Sequence, residues 1–201
     1  LKDFLVAGLG YYVPWMARWP AFGNLLTLNP VSRALMPKLT GLTDLPALSP
    51  SGSLSGLRSV SIDALEARGD STLDKVVCLV PDAFTLFYEA NLIDAVAKLV
   101  EALGFEPVSL PFMPNGKPAH VKGFQQQFEK MAGDSAEMLN RIAALGLPMI
   151  GLDPAMTLCY RDEYQEALGQ KRGDFEVLLP QEWLLEVVEE FGDSTTGQHY
   201  R

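Results

Sequence analysis

From Lys75 onward the apolar residues alternate between two spacings. Val76-Val77-Cys78-Leu79-Val80 is an unbroken apolar run, the pattern of a strand buried on both faces. Leu92, Val96, Leu99, Val100 and Leu103 then recur at helical spacing, which predicts a helix over 88–103 closed by Gly104. The cycle repeats three times. Strands are predicted at 106–110, 149–152 and 175–179, and helices at about 118–145, 159–168 and 181–191, the first two ending at Gly146 and Gly169. Strand followed by helix, four times over, implies parallel strands joined by right-handed crossovers.

The expected fold is therefore α/β, a Rossmann- or flavodoxin-like three-layer sandwich with a parallel sheet of about four strands, preceded by a helical segment. Residues 1–41 form that lead-in. Phe4, Leu9, Tyr11, Val13, Trp15 and Trp19 point all ways around a helix predicted over 2–18, kinked at Pro14 and broken at Pro20. Short helices are expected near 21–28 and 30–38. A helix that is apolar all round must be buried against something, so this segment is read as a docking element packed on the α/β body or on an upstream domain. It lacks the charged face that a membrane-surface helix requires. Residues 42–74, rich in Pro, Ser and Gly, read as a linker with at most a short helix at Ile62, Leu65 and Ala67 before Gly69. The α/β domain is placed at 75–193, and 194–201 is placed beyond it.

In open parallel sheets ligands bind beyond the carboxyl ends of the strands. That rule selects the loops after each strand as candidate sites. The first, Pro81-Asp82-Ala83-Phe84-Thr85, has none of the glycines that let a pyrophosphate approach a helix N-terminus. Asp82 reads first as a cap for the next turn and second as a ligand-binding carboxylate. In the second loop, Pro114-Asn115-Gly116 supplies a turn and Pro118 opens the next helix. Lys117, His120 and Lys122 gather beside that helix start. With Asp82 and Arg161 they make a candidate small-anion site, the alternative being a tight turn with solvated side chains. The third loop, Asp153-Pro154-Ala155-Met156, leads into Arg161-Asp162-Glu163-Tyr164, read as a solvated helix face with weak ion pairs and a tyrosine ring on the sheet. There is no Gly-x-Ser-x-Gly elbow near a histidine, and no carboxylate pair set for acid–base work.

Charge narrows the classes further. Within 1–41, Lys2, Arg18, Arg33 and Lys38 stand against Asp3 alone, +3, so the whole-chain −9 leaves −12 for the rest. Such a surface repels phosphate backbones, and nucleic acid is excluded as a partner. No apolar run reaches the roughly 18 residues of a membrane span. The two cysteines, Cys78 in an apolar strand and Cys159 at a partly accessible helix start, fit a reducing, cytoplasmic setting. Two thiolates cannot ligate an iron–sulfur cluster, and His120 and His199 have no metal-ligand spacing to them.

The order of these loops resembles the cysteine-rich CCG domain of iron–sulfur oxidoreductases. The family pattern is Cys after the first strand, Cys-Cys-Gly after the second and Cys-x-x-Cys after the third. Here Ala83, Pro114-Asn115-Gly116 and Asp153-Pro154-Ala155-Met156 stand at those positions, and only Gly116 keeps the motif identity. The segments Leu110-Pro111-Phe112-Met113-Pro114-Asn115-Gly116-Lys117 and Tyr160-Arg161-Asp162-Glu163-Tyr164 look like the large FAD-linked oxidases of the D-lactate and D-2-hydroxyglutarate dehydrogenase type. The resemblance implies a degenerate, non-catalytic repeat of a flavin- and iron–sulfur-dependent 2-hydroxyacid dehydrogenase. FAD and [4Fe-4S] clusters are expected elsewhere in the longer polypeptide, and no cofactor in this part. Its partners would be the FAD-binding, ferredoxin-like and second CCG regions of the same polypeptide, with Gln198-His199-Tyr200-Arg201 opening the following repeat. The alternative is a stand-alone flavodoxin-like module that binds a small anion.

Overall fold

A computed structural model of the chain describes residues 2–40, 46–50, 57, 59–69 and 72–194. The expected start of a following repeat at 195–201 and most of the Pro/Ser/Gly stretch lie outside the described residues.

The centre is a parallel sheet of three strands, β1 (Val76–Val80), β2 (Glu106–Ser109) and β3 (Met149–Gly151), in the order β2-β1-β3. Cys78 lies opposite Val108 on one side and Met149 on the other. Every residue of β1 is buried, because helices cover both faces of the sheet. Val76, Cys78 and Val80 enter one core with α9 (Gln125–Ala144) and α10 (Pro154–Leu168). Val77 and Leu79 enter a second core with α7 (Ala90–Ala102) and α11 (Pro180–Ser194). The alternation of neighbouring side chains between two cores follows from the two-residue period of a strand.

The fourth predicted strand, 175–179, is reduced to a single bridge, Leu178 to Ile150. Leu178 gives its N–H to Met149 and accepts from Gly151, but its neighbours turn their polar groups to the outer edge. There side chains take them: Arg172 bonds the Phe175 carbonyl at 2.9 Å, Arg161 the Val177 carbonyl at 2.9 Å, and Glu182 the Leu179 N–H at 2.7 Å. Two carbonyls and one N–H that a further strand would need are thus already taken.

Helix boundaries also move. The predicted helix over 118–145 is two helices, α8 (Lys117–Val121) and α9, because Gly123 adopts φ +76° between them. The helix predicted from 88 is preceded by α6 (Ala83–Phe87), started by Asp82. The helix expected at 159 begins at Pro154, five residues earlier, with Asp153 as its cap. Within the stretch read as a linker, Ser59 bridges to Ser109, and α5 (Ile62–Glu66) buries Ile62 and Leu65 in the first core. The α/β body thus draws on residues well before Lys75.

The lead-in consists of α1 (Lys2–Ala7), α2 (Leu9–Ala17), α3 (Pro20–Leu28) and α4 (Pro30–Thr40). The helix predicted over 2–18 is interrupted at Gly8, Pro14 sits inside α2, and the break predicted at Pro20 is where α3 begins. None of the helices in the described residues is long and apolar enough to cross a membrane.

Candidate functional site

The loops after β1, β2 and β3 meet in a crown at the carboxyl ends of the strands, and helix α2 lies across it. Between helix and crown remains a cavity of about 20 Å³, enough for roughly one water. Asp82, Ala83, Pro114, Asn115, Gly116 and Met156 line it from the loop side; Ala7, Leu9, Gly10 and Val13 line it from the helical side. Six of the sequence-selected positions are therefore gathered in one place, as the strand-end rule requires.

Each loop is fixed by its own chemistry. Asp82 is buried, and its carboxylate accepts from the backbone of Phe84 at 2.7 Å and Thr85 at 3.1 Å and from the Thr85 hydroxyl at 2.5 Å. Burial pushes its carboxyl above the ordinary range, against the pull of those hydrogen bonds. It is a cap in full use. Asp153 plays the same part for α10, accepting from Met156 N–H at 2.8 Å.

Asn115 ties the second loop to the third. Its Oδ1 accepts from Lys117 N–H at 3.1 Å, while Nδ2 approaches the Met156 carbonyl at 3.4 Å and Sδ at 3.3 Å. The Asn115 carbonyl accepts from the Tyr164 hydroxyl at 2.8 Å, and the Pro114 carbonyl from Ser135 Oγ at 3.3 Å. Gly116 has φ +80°, and a Cβ there would stand 2.8 Å from Phe128 Cδ2, so glycine is required twice over. Tyr164 is completely buried, edge-on to Phe128 and Tyr160 with ring centroids 5.8 and 5.1 Å apart. Sequence reasoning placed its ring on the sheet and missed the hydroxyl, whose partner lies 49 residues away.

The lead-in packs on the α/β body, one of its two expected partners, but the close fit of α2 on the crown was not foreseen. A Cβ on Gly10 would come within 2.7 Å of Pro114 Cβ, so the backbone of α2 rests against the loop. Gly10, a glycine within an otherwise apolar helix, is the sequence signal for such close approach. The Leu9–Val13–Leu48 cluster packs with Phe87 and Tyr88 beside it.

The candidate anion residues do not present free positive charge. Lys117 pairs with Glu163, Lys122 with Asp3 at 3.0 Å, and Arg161 with Glu182. Burial alone would raise the Glu163 carboxyl, but the hydrogen bond and charge of Lys117 bring it below the ordinary value. Glu182 is held down to about 2 by Arg161 and then by the Leu179 N–H. His120 stacks edge-on to Phe128 at 4.7 Å, and its buried Nδ1 has no hydrogen-bond partner among the described residues. Arg161 is drawn toward α11 and the outer strand, away from the Lys117 cluster.

An iron–sulfur cluster needs thiolates, and the five positions offer a methyl, a pyrrolidine ring, an amide, the helix-capping carboxylate of Asp153 and a thioether in their place. Both cysteines are elsewhere, fully buried and unpaired, and burial pushes each thiol to about 12. Cys159, expected to be partly accessible, faces the core. Among the described residues no three His, Cys, Asp or Glu side chains are grouped to hold a metal ion. The residues at the crown do not fit a cluster.

The geometry defines a parallel α/β body with a closed strand-end crown. No family model matches the chain, and no solved structure matches it. Curated relatives do. The chain is 46% identical over 195 residues to D-2-hydroxyglutarate dehydrogenase of Pantoea ananatis, covering 94% of this chain and 19% of that protein. It is 47% identical over 194 residues to the enzyme of the same name from Escherichia coli, with the same coverage. The Haemophilus influenzae enzyme is 44% identical over 188 residues, 91% of this chain and 18% of the relative. The chain thus spans about a fifth of the length of these relatives.

Proposed function

We propose that the chain is a segment of a D-2-hydroxyglutarate dehydrogenase, in which it serves as a scaffold repeat and not as the place of chemistry. The observation that carries this reading is the identity of 44–47% to three proteins of that name, across more than nine tenths of the chain. Flavin and iron–sulfur groups, which would supply hydride and electron-transfer chemistry, would be held by other parts of the longer enzyme and by none of this chain's residues. This segment's own residues do something different. Asp82 and Asp153 start the helices that follow β1 and β3; Asn115, Ser135 and Tyr164 lock the middle loop; α2 closes the crown. The crown occupies the position where the CCG pattern sets its cysteines, so the repeat would keep the family's shape after losing the ligands. We further read the Leu178 bridge as the remnant of a fourth strand in a flavodoxin-like order, and the compartment as the reducing cytoplasm.

The test is turnover. The full-length polypeptide carrying this segment, purified with its flavin, is assayed for dye reduction with D-2-hydroxyglutarate and with D-lactate. The reading expects D-2-hydroxyglutarate to be oxidised with the higher kcat/KM. Absence of D-2-hydroxyglutarate-dependent reduction contradicts it. The scaffold role is tested in the same enzyme by Asn115→Ala, which should lower yield and thermal stability while leaving KM for the hydroxyacid unchanged.

A further inference from the structure

The helical layer is half satisfied. One side of it is pressed on the crown, with Ala7, Leu9 and Val13 at 1–6% exposure. The other side is bare: Trp15 is 64% exposed, Trp19 71%, Phe22 55%, Leu25 66%, Val31 67% and Leu35 47%. Spacings of three and four residues put Phe22 with Leu25 on one face of α3, and Val31 with Leu35 on one face of α4. At about 150–250 Å² per large side chain these six alone present roughly 600–700 Å² of apolar surface. That is at the upper end of what a soluble monomer carries, about 300–600 Å², and close to one side of a standard interface, about 800 Å².

Charge says what kind of surface fits. Arg18 and Arg33 are exposed on the same helices and have no carboxylate partner among the described residues. The lead-in carries +3 while the rest of the chain carries −12. A two-fold contact between copies would set this face, arginines included, against itself. Docking on an anionic membrane would bring the acidic body toward lipid of the same sign. The relatives offer a third occupant, since 19% of their length matches this chain and the remaining four fifths is further polypeptide.

We propose that the bare face of α2–α4 seats another part of the same long polypeptide, an apolar surface rimmed by carboxylates that face Arg18 and Arg33. The proposal rests on the reading of the chain as a segment of such an enzyme. It makes the layer a two-sided joint: its inner side closes the crown, and its outer side binds the repeat to the rest of the enzyme.

The experiment is hydroxyl-radical footprinting of the full-length protein, with Trp183, only 3% exposed, as the internal reference. Open indoles at 64% and 71% exposure would oxidise about tenfold faster than that reference or more. Covered ones should fall within about threefold of it. The proposal expects Trp15 and Trp19 to match Trp183, and expects Arg18→Glu combined with Arg33→Glu to speed their oxidation while Trp183 is unchanged. Fast oxidation of both tryptophans in the intact protein overturns it. So does protection that disappears on dilution to the monomer by light scattering, which assigns the face to a second copy. Protection that needs phosphatidylcholine–phosphatidylglycerol vesicles also overturns it, assigning the face to a membrane. Turnover of D-2-hydroxyglutarate in the same sample reports separately: an active enzyme with open tryptophans refutes the joint alone, and protected tryptophans in an inactive protein refute the function alone.

Discussion

The α/β body and the helical layer across its crown handle apolar side chains in opposite ways. In the body, β1 is buried along its whole length and Phe128, Tyr164 and Phe175 are sealed at 0–1% exposure. In the layer, Leu9 and Val13 are buried while Trp15 and Trp19 remain mostly in solvent. The sheet supplies partners on both faces, so its helices complete each other. The layer packs on the crown, on Lys122 and Phe124 and on Leu48, and leaves its other large apolar side chains in solvent. A body of the first kind is self-sufficient; a layer of the second kind is half of an interface.

Substitutions can break this contrast. The largest effect is expected in the body: Phe128→Ala removes a completely buried ring beside Gly116, His120 and Tyr164, costing about 3–5 kcal/mol in chemical denaturation. A loss below 1 kcal/mol would mean that this core is not packed as described. Next comes the joint between body and layer. Gly10→Ala would place a methyl 2.7 Å from Pro114 Cβ and should cost about 1–2 kcal/mol, despite alanine's better helix propensity. Gly8→Ala meets nothing nearer than 3.4 Å at a φ of −83° and should be neutral or stabilising. Equal effects at Gly8 and Gly10 would show that α2 does not rest on the crown.

Smaller effects sharpen the comparison. Tyr164→Phe loses one buried hydrogen bond to the Asn115 carbonyl and should cost about 1 kcal/mol, with local loosening of the 111–116 loop by hydrogen exchange. Loss of stability without faster exchange in that loop would separate the ring from the hydroxyl's role. The smallest lies at the sheet edge, where Glu182 is lowered from 4.5 to about 2. A depressed carboxyl contributes stability that is complete above 4.5 and is lost as the pH falls through about 2. Glu182→Gln should therefore flatten the acid limb of the stability profile over that window; an unchanged limb would remove the Arg161–Glu182 pair from the account.

Much of the body was legible because its signals are local. Val76 to Val80 announces a buried strand by itself, and the glycines at 104, 146 and 169 mark helix ends where the structure has positive φ. What escaped the sequence depended on distant partners. The 175–179 run has strand composition, and only the approach of Arg161, Arg172 and Glu182 shows that side chains take part of its backbone bonding. Lys117 looked like a cation awaiting an anion until Glu163, 46 residues on, was found beside it. The lead-in was recognised as helical and in need of burial, but apolar residues all round a helix do not say which side meets the crown. That Ala83, Pro114, Asn115 and Met156 are not thiolates could be read residue by residue; that the loops carrying them are closed over by α2 could not.

The most direct test of that last point is reconstitution. Residues 1–201, purified anaerobically and incubated with ferrous iron and sulfide, are desalted and measured for iron, labile sulfide and visible absorption. A closed crown predicts neither metal nor sulfide above background. Near-stoichiometric iron and sulfide with a cluster spectrum would contradict it and make this segment a ligand-bearing one.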